Sequence, residues 1–237
     1  MIDPNAFTGK SRVQDLTHVT TAEFPVFPGD RPFEARSART LERHGYSLQE
    51  LSLSEHTGTH LDAPAHFFAD GETAENLPLA QLIVPLVVIS LVHRVASDHD
   101  ARLTPDDVLR WEERHGRIPE GAVVAMHSGW EERHREPARY LNMDSAGVMH
   151  TPGFGGEAAE LLVHERSIAG LATDTLSLDI GASTDYEAHV VLLGAGRYGL
   201  ENVANLGLVP PAGAMLIVGG PKHSRATGGP ARLIAFY

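Results

Sequence analysis

The chain predicts a mixed α/β fold with more strand than helix, and three observations carry that prediction. Two mostly apolar runs without polar alternation, Leu82 to Val92 and Gly121 to His127, have the length and β-branched content of strands buried on both faces. Between them lies a segment with clear helix start and stop signals. The hydrophobic share of 42% over 237 residues is enough for a sizeable core. No Pro/Ser-rich linker, internal repeat or low-complexity tract interrupts the chain. One domain over 13–237 is therefore expected, behind a loose N-terminal arm at 1–12.

Taken in order, Val13 to Val19 reads as a strand. The turn-rich segment Phe24-Pro25-Val26-Phe27-Pro28-Gly29-Asp30 follows, where Phe24 and Phe27 stand beside prolines as candidate walls of a pocket. Ser47 to Ser54 alternates apolar and polar residues, the pattern of a half-buried strand leading into a histidine cluster. Leu82 to Val92 is the first buried strand. Thr104-Pro105-Asp106-Asp107 opens a helix with a Thr cap, Pro at the first position and acids in the first turn, and Gly116 closes it. The strand Gly121 to His127 ends at Ser128-Gly129-Trp130, and Trp130 is a third candidate pocket wall. Glu157 to Arg166 reads as helix and Ile168 to Ala172 as extended. Asp185 is the expected cap of a helix through Leu193, and Met215 to Val218 and Leu233 to Tyr237 close the chain as strands.

Composition narrows the function. A formal net charge of −12 argues against nucleic acid, whose binding needs Lys and Arg to replace counterions. The absence of cysteine excludes disulfides, a thiol nucleophile and a thiolate metal site, and suits a cytoplasmic location. No basic region followed by an apolar run marks a signal peptide at the N-terminus. Leu82 to Val92, the longest apolar run, is too short to span a bilayer and contains Pro85 and Ser90, so no membrane association is expected.

Chemistry concentrates in His56-Thr-Gly-Thr-His60-Leu-Asp62-Ala-Pro-Ala-His66. Two His with one Asp or Glu is a common donor set for a divalent transition metal that keeps a position for water, and such a metal makes water a nucleophile at neutral pH. A helix is a poor reading, because Thr57, Gly58 and Thr59 are weak helix formers and Pro64 breaks the turn. On a strand, His60 and Asp62 leave the same face about 6.6 Å apart. His56 would then lie about 13 Å from His60, so a bend at Gly58 is expected to fold it back. Pro64 ends the strand and leaves His66 on a loop, as a ligand or a general base.

Two other patterns are set aside. Gly194-Ala-Gly-Arg-Tyr-Gly199 satisfies G-x-G-x-x-G, but a dinucleotide site needs a strand before it and a helix after. Here the order is reversed. Ser128 follows a strand but lacks the G-x-S-x-G elbow of a serine hydrolase.

With these residues in view, the chain resembles the metal-dependent cyclase/hydrolase family, which includes bacterial kynurenine formamidases and isatin hydrolases. The signature H-x-G-T-H-x-D-x-P-x-H stands complete from His56 to His66. Further landmarks are Asp15-Leu16-Thr17-His18, Pro25 to Asp30, Ala172-Thr173-Asp174-Thr175, Leu200-Glu201-Asn202 and Thr227 to Arg232. The resemblance implies a swivelling β/β/α arrangement with a barrel-like mixed sheet flanked by helices, assembled as a homodimer or higher homo-oligomer. It implies His56, His60 and Asp62 as metal ligands, His189 and Glu201 as ligands completing a second metal, and His66 as proton donor and acceptor. Zinc in the formamidases and a single manganese in the isatin hydrolases make one or two Zn²⁺ or Mn²⁺ ions the expected cofactor. Where the formamidases place a substrate-contacting tryptophan, this chain has Phe27.

The function expected is hydrolysis of a cyclic or linear amide C–N bond in a small-molecule substrate, with Phe24, Phe27 and Trp130 as candidate walls. Two alternatives share the residues. A lyase, dehydratase or cyclase would use the same metal to polarise a carbonyl, and a non-catalytic metal-binding protein would close the site with protein ligands.

Overall fold

In the computed structural model, which describes residues 12–237, the strands are β1 (Val13–Asp15), β2 (Glu34–Arg39), β3 (Leu48–Ser52), β4 (His60–Asp62), β5 (Ile83–Ser90), β6 (Arg102–Leu103), β7 (Val123–His127), β8 (Gly153–Phe154), β9 (Gly170–Thr173), β10 (Tyr198–Glu201), β11 (Ala214–Gly219), β12 (Gly228–Pro230) and β13 (Arg232–Phe236). Nine of them form one mixed sheet in the order β1-β13-β11-β5-β7-β9-β10-β4-β12, curled into a half barrel. The arm expected at 1–12 falls, apart from Arg12, outside the described residues.

The centre of the sheet explains the apolar runs. Strands β5, β7, β9 and β10 pair in parallel, and such strands are covered on both faces. Along β5, Val87 and Ile89 join one buried cluster while Val84, Leu86 and Val88 join the other. On β7, Val124 and Met126 face the first, and Val123 and Ala125 the second. Both faces of each strand need apolar side chains, so no polar alternation survives in the sequence.

The helix Pro105–His115 forms where its signals place it. Thr104 and Asp107 make a reciprocal capping box, with Thr104 N–H donating to Asp107 Oδ2 at 2.9 Å. Arg94 Nη1 and Nη2 bind the same carboxylate at 2.8 and 2.5 Å. Burial opposes ionisation of Asp107, but Arg94, Thr104 and Arg110 outweigh it and hold its pKa far below the usual carboxylate range. Gly116 ends the helix at φ 87°.

Four expectations are corrected. The first strand is shorter than 13–19: it stops at Asp15, and Thr17 makes a lone bridge to Val203. The segment at 47–54 is not half-buried, because β3 pairs only with β2 in a separate two-stranded ladder that leaves Leu48 and Leu51 exposed. The helix from Glu157 holds α geometry only to Glu160 and widens into a π turn over Leu161–Glu165. Asp185 does not cap its helix. Tyr186 occupies the cap position at φ 52°, and Asp179, from a preceding loop, accepts Ala188 N–H at 2.8 Å and His189 N–H at 3.2 Å.

Candidate metal centre

Strand pairing assembles the centre. β4 lies antiparallel to β10, with His60 opposite Glu201 and Asp62 opposite Gly199. On its other edge β4 pairs with β12, which sets Gly228 opposite Asp62. His60 and Asp62 leave one face of β4, while Leu61 turns to the core beneath. Both cross-strand neighbours of Asp62 are glycines for a steric reason. A Cβ at Gly199 would lie 3.2 Å from Asp62 Oδ2, and one at Gly228 would lie 2.6 Å from His56 Cε1.

The bend expected before β4 is present. Gly58 has φ +67°, and it brings the rings of His56 and His60 to 5.2 Å between centroids. His56 Nδ1 reaches 2.6 Å from Asp62 Oδ1. Asn202, which follows Glu201 at φ 52°, secures the bend: its Nδ2 donates to Gly58 O at 3.0 Å, and its carbonyl accepts Thr59 Oγ1 at 2.6 Å.

Hydrogen bonds on the outer side turn two more imidazoles inward. His60 Nδ1 lies 2.8 Å from Gly58 O. A carbonyl only accepts, so Nδ1 carries the proton and Nε2 faces the centre. There it lies 3.2 Å from Asp62 Oδ1 and 3.3 Å from Glu201 Oε2. His189 Nδ1 donates to Asp179 Oδ2 at 2.6 Å, which leaves Nε2 at 3.1 Å from Glu201 Oε1 and 3.7 Å from Asp62 Oδ2. Glu201 Oε1 is steadied by Leu178 N–H at 2.8 Å.

These donors fit a divalent cation. His60 Nε2 and Asp62 Oδ2 are buried with no hydrogen-bond partner, a costly arrangement unless something binds them. Donor atoms of His60, Asp62 and Glu201 lie within 4.8 Å of one another, as do those of His56, Asp62 and His66. The electrostatics point the same way. Burial disfavours a charged His60, yet Asp62 and Glu201 outweigh it and push its pKa up to about 10. His189 is likewise raised well above the usual range, burial being overcome by Asp179, Asp62 and Glu201. Burial also disfavours the Asp62 carboxylate, but His60, His189 and His56 hold it well below its ordinary value. The two inner carboxylates demand positive charge.

A cavity of about 300 Å³ opens beside these donors, lined by Phe27, Asp30, His56, His66, Phe67, Leu176, Ser177, Tyr186, His189 and Glu201. His66 sits in the single turn Pro64–His66 that follows β4, stacked on His56 at 3.9 Å. Its pKa is lowered, first by burial and then by neighbouring imidazoles against the pull of Asp62. A neutral His66 can accept a proton.

Of the three aromatics read as pocket walls, the structure brings Phe27 to the cavity and leaves the other two away from it. Phe24 is 5% exposed and packs among His18, His134 and Tyr140 at the edge of a different cavity. Trp130 is 1% exposed, donates Nε1–H to Tyr140 O at 2.8 Å and belongs to the core. Phe67 and Tyr186 stand in their place, Phe67 stacked on His189 at 4.9 Å and 13°. Phe67 was legible as the neighbour of His66. Tyr186 and Asp179 were not, because they sit outside the regular elements, on the chain that leads into the helix Glu187–Gly194; Asn202 was legible only as part of the landmark Leu200-Glu201-Asn202, without a role.

The model of a family described as "Putative cyclase" matches residues 14–180. Isatin hydrolase of Roseibium aggregatum is 33% identical over 96% of this chain and 92% of its own length. Kynurenine formamidase of Paracidovorax citrulli is 28% identical over 93% of this chain and 94% of its own. Among solved structures, an isatin hydrolase bound to the product analogue thioisatinate superposes with a TM-score of 0.92 at 30% identity, covering 98% of this chain and 95% of that one.

Proposed function

The chain belongs to the Cyclase family, and on that premise we propose that it is a metal-dependent hydrolase opening an amide C–N bond, cyclic or linear, in a small aromatic substrate. The observation that carries the reading is the inward convergence of His56, His60, His189, Asp62 and Glu201 at the floor of an aromatic-walled cavity. Those five residues would hold one or two ions. Imidazole and carboxylate together suit Zn²⁺ or Mn²⁺. When bound, the cation supplies charge that polarises a carbonyl and acidifies water.

The chain's own residues do the rest. Phe27, Phe67 and Tyr186 hold a planar substrate against the donor floor and keep bulk water from its ring faces. His66 takes a proton from the attacking water and delivers it to the nitrogen as the C–N bond breaks. Asp179 and the Gly58 carbonyl keep His189 and His60 in the tautomers that face inward. We take residues 13–237 as one catalytic domain. The absence of cysteine supports a cytoplasmic location, and the exposed Leu41, Tyr46, Leu48 and Leu51 on and beside the β2–β3 ladder support a homodimer or higher homo-oligomer.

The test is metal analysis of protein purified without added metal, with activity on isatin and N-formylkynurenine measured side by side. His60→Ala should lose metal and turnover together; full retention of both overturns the reading. His66→Ala should keep its metal and lose about 10²- to 10⁴-fold in turnover. Oxygen-18 from solvent must appear in the product, and its absence would mark a lyase or cyclase.

A further inference from the structure

Each inward-facing imidazole needs its outer nitrogen held. For His60 that partner is a backbone carbonyl, and for His189 it is the buried Asp179. His56 differs, because its outer nitrogen, Nε2, faces the hydroxyl of Thr227 at 3.3 Å. A hydroxyl can donate or accept, so by itself it would leave the tautomer of His56 open.

Glu55 removes that freedom. Thr227 Oγ1 lies 2.5 Å from Glu55 Oε2, which also takes the Thr227 N–H at 3.3 Å. A carboxylate only accepts, so the one hydroxyl proton of Thr227 is committed to Glu55. Its lone pairs alone remain for His56, and Nε2 must carry a proton to use them. A neutral imidazole bears one N–H, so Nδ1 is bare. That bare nitrogen is the one 2.6 Å from Asp62 Oδ1, where two acceptors face each other unless a cation or a second ring proton stands between them.

The surrounding structure holds this relay in place. The Thr227 carbonyl accepts Ala63 N–H at 2.9 Å, which ties Thr227 to the end of the strand that carries Asp62. The backbone of Gly228 lets the His56 ring pass where a Cβ would stand 2.6 Å from Cε1. At the outer end, His223 Nε2 holds Glu55 Oε1 at 2.6 Å. Neither Glu55 nor Thr227 lines the substrate cavity.

We propose that Glu55 and Thr227 are positioning residues which together fix His56 as its Nε2–H tautomer and so present Nδ1 to the metal. This rests on the reading of His56 as a ligand. The relay acts through hydrogen-bond direction and touches neither substrate nor reacting atoms.

The experiment loads the full-length chain with zinc, and with manganese in parallel. Affinity is measured by competition with a chromophoric chelator, and the His56 Nε2–H is followed by ¹H–¹⁵N NMR in the zinc form. Thr227→Val keeps the shape and removes the hydroxyl. It should weaken binding about 10- to 100-fold, the usual loss for an outer partner of a ligating imidazole, and should shift the Nε2–H resonance or expose it to solvent exchange. Thr227→Ser should restore both, and Glu55→Ala should weaken binding in the same direction. If Thr227→Val lowers only the melting temperature, with affinity and resonance unchanged, the proposal is overturned and the ligand assignment stands. If the wild-type chain binds neither metal, the ligand assignment falls and takes the proposal with it.

Discussion

Gly58 is the point where the local backbone and the candidate metal centre depend on each other most directly. It holds φ +67°, a left-handed conformation that costs an L-residue about 1–2 kcal/mol. A Cβ built there would stand 2.5 Å from Thr20 Oγ1, and forcing such a contact into a packed site costs about 1–3 kcal/mol more. Gly58→Ala should therefore lose about 2–5 kcal/mol in urea unfolding, the sum of those two costs. The two contributions are separable. Thr20→Ala removes the hydroxyl and leaves Cβ of residue 20 at 3.5 Å, ordinary van der Waals contact. In the Thr20→Ala background the loss at Gly58 should shrink to the backbone part, about 1–2 kcal/mol, a coupling that a double-mutant cycle reads directly. Zinc affinity should fall in Gly58→Ala as well, because the bend sets the approach of His56 to His60. Additive mutations, or a Gly58→Ala protein as stable as wild type, would refute the reasoning.

Other residues yield shorter tests. Asp179→Ala removes the acceptor for Ala188 N–H, His189 N–H and His189 Nδ1–H. It should cost about 1 kcal/mol for the cap and about 1.5–3 kcal/mol for the bond to the imidazole in urea unfolding, with weaker zinc binding. Glu131 has its pKa pushed up to about 7, first by burial and then by Asp174 and Glu132, against hydrogen bonds from Asn205 and Leu206. The folded chain holds that proton more tightly than the unfolded one, so stability is lost as pH rises from the usual 4.5 through about 7. Glu131→Gln should be more stable than wild type at pH 8 and no more stable at pH 4, checked by urea midpoints at both. Phe67→Ala opens one wall of the cavity and should raise KM about 10-fold for whichever small aromatic amide the wild type turns over, with a smaller change in kcat, since it removes binding shared by ground and transition states.

How far each part could be read from sequence follows from how local its physics is. The helix Pro105–His115 was legible to the residue because cap, proline, acids and closing glycine all act within one turn of its ends. The bend at Gly58 was legible because strand geometry alone left His56 too far from His60. The segment Ser47 to Ser54 was misread: its alternation suggests a half-buried strand, burial is decided by what packs against it, and β3 pairs only with β2. That Phe24 and Trp130 lie away from the cavity has a related cause, since an aromatic beside prolines or after a strand fits a core and a pocket wall equally well.

By itself, the sequence determined the mixed α/β class and the central strands, through apolar runs and chain punctuation. It also determined the compact donor segment from His56 to His66, whose members lie close enough for strand geometry to relate them. The tertiary structure decided the rest. Glu201 meets that segment through the pairing of β4 with β10, His189 reaches it from the helix Glu187–Gly194, and the direction of each imidazole depends on partners as far off as Asp179 and Thr227. Hydrogen-bond direction needs a donor and an acceptor placed in space, and no spacing along the chain supplies that.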